Sequence, residues 1–137
     1  MPGYYPFTGH VATRFGDLDL FSHVNNVATA SLLEEGRSQY LTWLQAGAEP
    51  PLQRPLRMIA EVRIRYLAQI YHPAQLAVGG RIGQVNTRSF RLEQALFQDG
   101  RCLTLCDTVY VHTDGQHAVP IEPGWHARLT AQLPLAP

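Results

Sequence analysis

Residues 16–26 read Gly16-Asp17-Leu18-Asp19-Leu20-Phe21-Ser22-His23-Val24-Asn25-Asn26. Two carboxylates, a histidine and two asparagines crowd the point at which the hydrophobic period changes. Before them, Val11, Thr13 and Phe15 alternate with Ala12 and Arg14, which predicts a short strand from Val11 to Asp17. After them, from Asn26 to about Ala46, Ala30, Leu33, Tyr40 and Leu44 share one helical stripe, widened by Leu32, Leu41 and Trp43. Asn25 or Asn26 is a suitable N-cap, and Gly47 followed by Pro50-Pro51 stops the helix. A helix of this length runs about 30 Å and spans a small domain. Gly36 at its middle lowers helix propensity, which implies close backbone packing there.

Past a proline-rich loop the period becomes two. Ala60, Val62, Ile64 and Tyr66 alternate with Glu61, Arg63 and Arg65, as in a half-buried antiparallel strand. Leu76 to Val85 is a further strand, with Gly79, Gly80 and Gly83 marking bulges or close approach. Phe90 to Phe97 and Leu103 to Val111 complete a hairpin turned by Gln98-Asp99-Gly100. The tail, punctuated by Pro120, Pro123 and Pro134, reads as irregular until a short terminal helix. One strand, one long helix and four strands predict an α+β fold: a curved antiparallel five-stranded sheet wrapped around one central helix.

Length and charge narrow the function classes. The 137 residues suffice for a single domain spanning 1–137 with one sizeable core. Lys+Arg and Asp+Glu number 11 each, so no global field draws the chain to nucleic acid or an anionic membrane. No segment has the apolar length of a membrane span, and MPGYYPFTGH lacks a signal-peptide core, which makes cytoplasmic the expected location. Cys102 and Cys106 would lie about 13 Å apart on one strand, beyond disulfide reach. No zinc-type cluster is present in the sequence, His112, His117 and His126 read as structural, and no cofactor is expected.

Phe15-Gly16-Asp17-Leu18-Asp19, His23-Val24-Asn25-Asn26 and Glu34-Glu35-Gly36-Arg37 together resemble the hotdog-fold acyl-CoA thioesterases, specifically the 4-hydroxybenzoyl-CoA thioesterase-like branch. The resemblance implies hydrolysis of an acyl-CoA thioester, with Asp19 as the catalytic carboxylate and the backbone N–H of Asn26 polarising the carbonyl. This is sound chemistry. A helix N-terminus offers free N–H donors and partial positive charge to a developing oxyanion, and favours the ionised form of a nearby carboxylate. A thiol, with a pKa of roughly 8.5, leaves without a strong general acid. Asp19 either attacks the carbonyl to form a mixed anhydride or activates a water.

Other assignments follow the same resemblance. Plant acyl-acyl-carrier-protein thioesterases carry Asp-x-Asn-x-His-Val-Asn-Asn, whereas here Phe21 takes the Asn position and Ser22 precedes His23. The plant mechanism is therefore not carried over, and His23 is read as orienting the substrate or positioning water. Arg88, in Thr87-Arg88-Ser89-Phe90, is similar to a basic stretch that holds coenzyme A phosphates, for which a guanidinium is well shaped. Phe21, Asn25 and Glu35 are assigned to the substrate pocket, and Glu35 is a rival catalytic carboxylate because some hotdog thioesterases use one from the helix. Asp17 is expected to hold the loop through backbone amides. The family further implies a homodimer or homotetramer with acyl-CoA as the small-molecule partner. Hydrolysis of an acyl-acyl-carrier-protein, or acyl-CoA binding without turnover, are the alternatives. The acyl group itself is not legible.

Overall fold

A computed structural model describes residues 4–21 and 23–134. The elements in order are β1 (Phe7–Ala12), a 3-10 turn (Phe15–Asp17), α1 (Asn26–Ala46), β2 (Arg57–Tyr66), β3 (Gln75–Val85), β4 (Ser89–Gln98), β5 (Arg101–His112) and α2 (Pro123–Thr130). One five-stranded sheet has the order β1-β3-β4-β5-β2, with antiparallel neighbours throughout. Register shifts at Ile59/Glu61, Ile82/Gln84 and Leu96/Phe97 bend it around α1. This is the hotdog architecture. Asn25 is the N-cap of α1, accepting from Ala28 N–H through its side chain, and Gly47 is the C-cap.

The buried stripe of α1 divides the core in two. Its N-terminal half, with Ala28, Leu32 and Leu33, packs on Val11, Leu76, Val78, Leu96 and Leu103. Its C-terminal half, with Tyr40, Leu41 and Leu44, packs on Ile82, Phe90, Leu92 and the Trp125 and Leu129 of α2. Between the halves the helix comes close enough to the sheet that a Cβ on Gly36 would stand 2.6 Å from Val78 Cγ2. Beside Gly36, Arg37 is buried and donates to Tyr110 Oη at 3.1 Å and Gln94 Oε1 at 3.3 Å. Gln94 in turn donates to the Leu33 carbonyl at 2.9 Å. A polar seam therefore crosses the middle of the core.

Two expectations change. The predicted Val11–Asp17 strand starts earlier and ends at Ala12. The alternation is real, since Gly9, Val11 and Thr13 are buried, but the Asp17 carboxylate accepts the Arg14 N–H at 2.8 Å and coils the chain into the 3-10 turn, leaving Phe15 exposed. The tail is irregular until the expected short helix, α2, with Glu122 as N-cap and Pro123 in the first turn, a position proline tolerates. Strand β2 is exposed along nearly its whole length rather than half-buried, and Ala60 sits in a bulge outside the ladder.

The two sheet edges differ. At β1 the side chain of Gln39 imitates a neighbouring strand, accepting from His10 N–H at 3.2 Å and donating to His10 C=O at 2.9 Å. The ten-residue outer edge of β2 has no such cover among the described residues. An open edge of that length, with Met58, Ile59, Val62 and Tyr66 exposed beside it, invites another chain.

Candidate active site

The loop 17–25 is fixed before the helix begins. Asp17 is only 2% exposed, and its Oδ1 meets Arg14 Nη2 at 3.0 Å. Burial alone raises the Asp17 carboxyl, but the hydrogen bonds and charge of Arg14 outweigh it and leave the group below the ordinary carboxylate range. The Asp17 carbonyl accepts from Asn25 N–H at 2.9 Å, and Leu18 bridges Val24. The turn between them is closed by Asp19 N–H donating to His23 C=O at 2.8 Å. Asp17 thus shapes the loop, as expected of it.

Asp19 stands at the tip of this closed loop, exposed to solvent. Its Oδ1 accepts the backbone N–H groups of Phe21 at 2.8 Å and His23 at 3.1 Å, so the carboxylate is held in place by main chain alone. Its other oxygen has no partner among the described residues. Among the same residues the N–H groups of Asn26 and Val27, in the first turn of α1, meet no acceptor. They are the free donors that a helix start presents. A cleft of about 210 Å³ opens there, walled by Val24, Asn26, Thr29, Tyr66 and residues 67–70, with Thr104 at its base. Tyr66 Oη donates to the Asn26 carbonyl at 3.5 Å, and Thr104 Oγ1 is buried without a hydrogen-bond partner. Carboxylate, helix N-terminus and cleft lie at one end of the molecule.

Other candidate residues are scattered. The His23 ring packs edge-on against Tyr71 at 5.1 Å between centroids, while Phe21 projects into solvent, 79% exposed. Asn25 caps the helix rather than lining the cleft. Glu35, about 14 Å along α1 from Asn26, lines a different cleft with Ala12, Arg14 and Ser38 on the β1 side. Arg88 is exposed beside the opposite end of β5: its carbonyl accepts from His112 N–H. Thr104, under the Asn26 cleft, and His112 are eight residues apart along that strand, about 26 Å. Within one chain, Arg88 and Asp19 are therefore at opposite ends. Among the described residues, no group of three His, Cys, Asp or Glu side chains is placed to hold a metal, and no helix is long and apolar enough to cross a membrane.

Sequence reasoning passes over a second polar cluster at the far end. Arg57, at the start of β2, lies with its guanidinium 4.5 Å from the Trp125 ring and 5.7 Å from that of Phe90. Its Nε donates to His112 Nε2 at 3.4 Å. Burial, and then the Arg57 charge, push His112 down to about 4. The unfolded chain takes up this proton near pH 6.5, so between those values it binds more protons than the folded state. Stability should fall as pH drops from about 6.5 to about 4, by a few kcal/mol at most. Thermal melts across that range check this; the His112→Gln variant should show a flatter dependence.

Comparison with known proteins follows the same lines. The family model described as thioesterase-like superfamily matches residues 13–129. Among solved structures, a thioesterase from Thermus thermophilus, complexed with coenzyme A and Zn, is 27% identical, with a TM-score of 0.80 over 96% of this chain and 98% of that one. A thioesterase-superfamily protein from Jannaschia sp. CCS1 is 26% identical, with a TM-score of 0.79 over 93% and 83%. DHNA-CoA thioesterase from Staphylococcus aureus shares the fold at 17% identity, with a TM-score of 0.76 over 90% and 88%. No curated protein sequence matches.

Proposed function

This chain belongs to the thioesterase-like superfamily and is a thioester hydrolase, and from that premise we propose that it hydrolyses acyl-CoA to free acid and coenzyme A at the Asn26 end of α1. The observation that carries the reading is the Asp19 carboxylate, held by main-chain donors at the start of a buried helix whose first N–H groups are free. In the proposed complex the thioester carbonyl oxygen accepts from Asn26 N–H. Charge moves onto that oxygen as the acyl carbon becomes tetrahedral, and fixed backbone donors stabilise it at no cost in reorganisation. Asp19 attacks that carbon, or takes a proton from the water that does. Collapse expels the thiolate of coenzyme A; where Asp19 is the attacking group, water then cleaves the resulting mixed anhydride, releasing the acid and restoring the carboxylate. His23, one ladder step from Asp19, orients the reacting group or water.

The proposal includes a homodimer joined through the outer edge of β2. The covered β1 edge and the bare β2 edge support it, and so does charge. If two β2 strands pair antiparallel around a two-fold axis at Val62, Glu61 of each faces Arg63 of the other, whereas pairing centred on Glu61 or Arg63 sets like charges opposite. Val62 lies at the middle of the strand, so the Tyr66 end of one chain meets the Arg57 end of its partner. Arg88, remote from Asp19 in its own chain, then lies toward the partner's Asn26 cleft. That placement favours its assignment to the coenzyme A phosphates.

The test is release of free thiol by the wild-type protein from short, long and aromatic acyl-CoAs. Turnover of at least one group is expected. Bound but intact acyl-CoA across the whole panel would replace hydrolysis with binding.

A further inference from the structure

The cluster around Arg57 is unused by the chemistry above. It opens into a cleft of about 440 Å³ between the C-terminal half of α1 and the β2–β5 pair, lined by Leu41, Ile59, Arg54, Arg57, Tyr110 and Glu34 among others. Arg57 has no carboxylate within ion-pair distance among the described residues, and its Nη2 is buried without a hydrogen-bond partner. Burial, the largest influence on this guanidinium, pushes it down to about 10, so it still carries its charge at neutral pH. Arg54 lies close enough to repel it. Arg37, also buried without a carboxylate partner among the described residues, donates to Tyr110 Oη and leaves that hydroxyl's own proton free for the cleft. Two carboxylates stand against these three guanidiniums. Glu34 is exposed on the rim, and Glu122 is engaged in capping α2. A half-buried, stacked guanidinium with no ion-pair partner among the described residues, beside a hydroxyl donor in a cleft with apolar walls, is built to receive a carboxylate.

Its position says where that carboxylate comes from. Arg57 and Ile59 pair with His112 and Tyr110, while Tyr66 pairs with Thr104. The bulge at Ala60 keeps all three of these β2 residues on the helix-facing side of the sheet. This step rests on the dimer and hydrolase reading above. In that dimer the Arg57 cleft of one chain continues the Asn26 cleft of the other, past Tyr66. We propose that the acyl group extends from the reacting carbonyl into the partner's cleft and ends in a carboxylate bound by Arg57 of the partner subunit, with Arg54 and Tyr110 of the partner subunit beside it. The preferred substrates are thus monothioesters of dicarboxylic acids. The phosphates of coenzyme A belong on the solvent side of the thioester, whereas Arg57 is half-buried against the Trp125 and Phe90 rings.

The measurement compares kcat/KM for succinyl-, glutaryl- and adipoyl-CoA with the butanoyl, pentanoyl and hexanoyl thioesters, each corrected for spontaneous hydrolysis. Paired members carry identical phosphates and differ in a terminal carboxylate or methyl. The wild type should prefer one charged member over its neutral partner, and Arg57→Gln should lower that ratio by about ten- to a hundredfold. The exposed Arg54→Gln, which threatens folding least, should lower it in the same direction. Arg57→Lys should restore part of it. A wild-type ratio of one or below overturns the proposal. So does an equal fall for both members, which would assign Arg57 to the phosphates.

A second readout needs no turnover. In the Trp43→Phe variant, Trp125 is the only tryptophan, and its fluorescence should respond saturably to adipate but not to adipamide or inorganic phosphate. That response without hydrolysis of any thioester would retain the subsite and remove the hydrolase reading. No response to adipate, with neutral thioesters hydrolysed, would do the reverse.

Discussion

Asp19→Asn should lower kcat for thioester hydrolysis by about 10²–10⁴-fold, the range expected when a nucleophile or general base is replaced by a neutral isostere. The fold should not change. An asparagine Oδ1 still accepts the Phe21 and His23 N–H groups that hold the side chain in place. The site is also exposed, so the stability should stay within the scatter of surface substitutions, about 0.5 kcal/mol. What disappears is the negative charge on the loop that leads into the free donors of Asn26 and Val27. Thiol-release kinetics with parallel melts read both effects. Equal turnover in variant and wild type would transfer the chemistry to another group.

If the chain forms the proposed β2-edge dimer, Val62→Glu should turn it into a monomer and abolish most of the turnover with it. Val62 is 42% exposed in the single chain, so the substitution removes little intrachain packing. Across a two-fold axis at this residue it sets two carboxylates directly opposite one another, where like charges repel. Each Asn26 cleft then loses the wall that the partner supplies in the proposed dimer. Light scattering at micromolar concentration should give the mass of two chains for the wild type and of one 15.3 kDa chain for the variant. A monomeric wild type would remove the dimer and, with it, the shared site.

The sequence makes the helix legible because three independent signals agree there: a period near 3.6, the Asn25 cap and the Gly47 stop. The structure matches them over Asn26–Ala46. Strands β3, β4 and β5 are nearly as clear, since each is paired along both edges. Strand β1 is displaced from its expected place because the pattern of Val11, Thr13 and Phe15 continues into a turn that only the Asp17–Arg14 contact reveals. For β2 the alternation is a sound guide to the strand and a poor one to its burial. Period two reports that a strand has two unlike faces, and says nothing of whether those faces are covered by this chain or by another.

At the site, the motif locates the loop and the helix start, which are local in sequence. It does not place Glu35 or Arg88, whose distance from Asp19 depends on which way the helix faces and on which end of the sheet a hairpin lies. Arg57 and His112 escape it for a related reason. Fifty-five residues separate them, and only the β2–β5 register brings them together. Arg57 does not stand apart in the sequence as a basic residue, and its unpaired state emerges only from the packing of Trp125 and Phe90 around it.

The most direct test of the central claim is a single-turnover reaction of acyl-CoA with excess wild-type protein in oxygen-18 water. The thiol, the acid and the peptide containing Asp19 are then followed by mass spectrometry. Thiol and free acid should appear in equal amounts. Labelled oxygen found in Asp19 would mean that the carboxylate attacks and that water then opens the anhydride at the Asp19 carbon. Label found only in the acid is the outcome of water attacking the acyl carbon, of the thioester or of the anhydride. Acyl-CoA recovered intact from the protein would contradict the account.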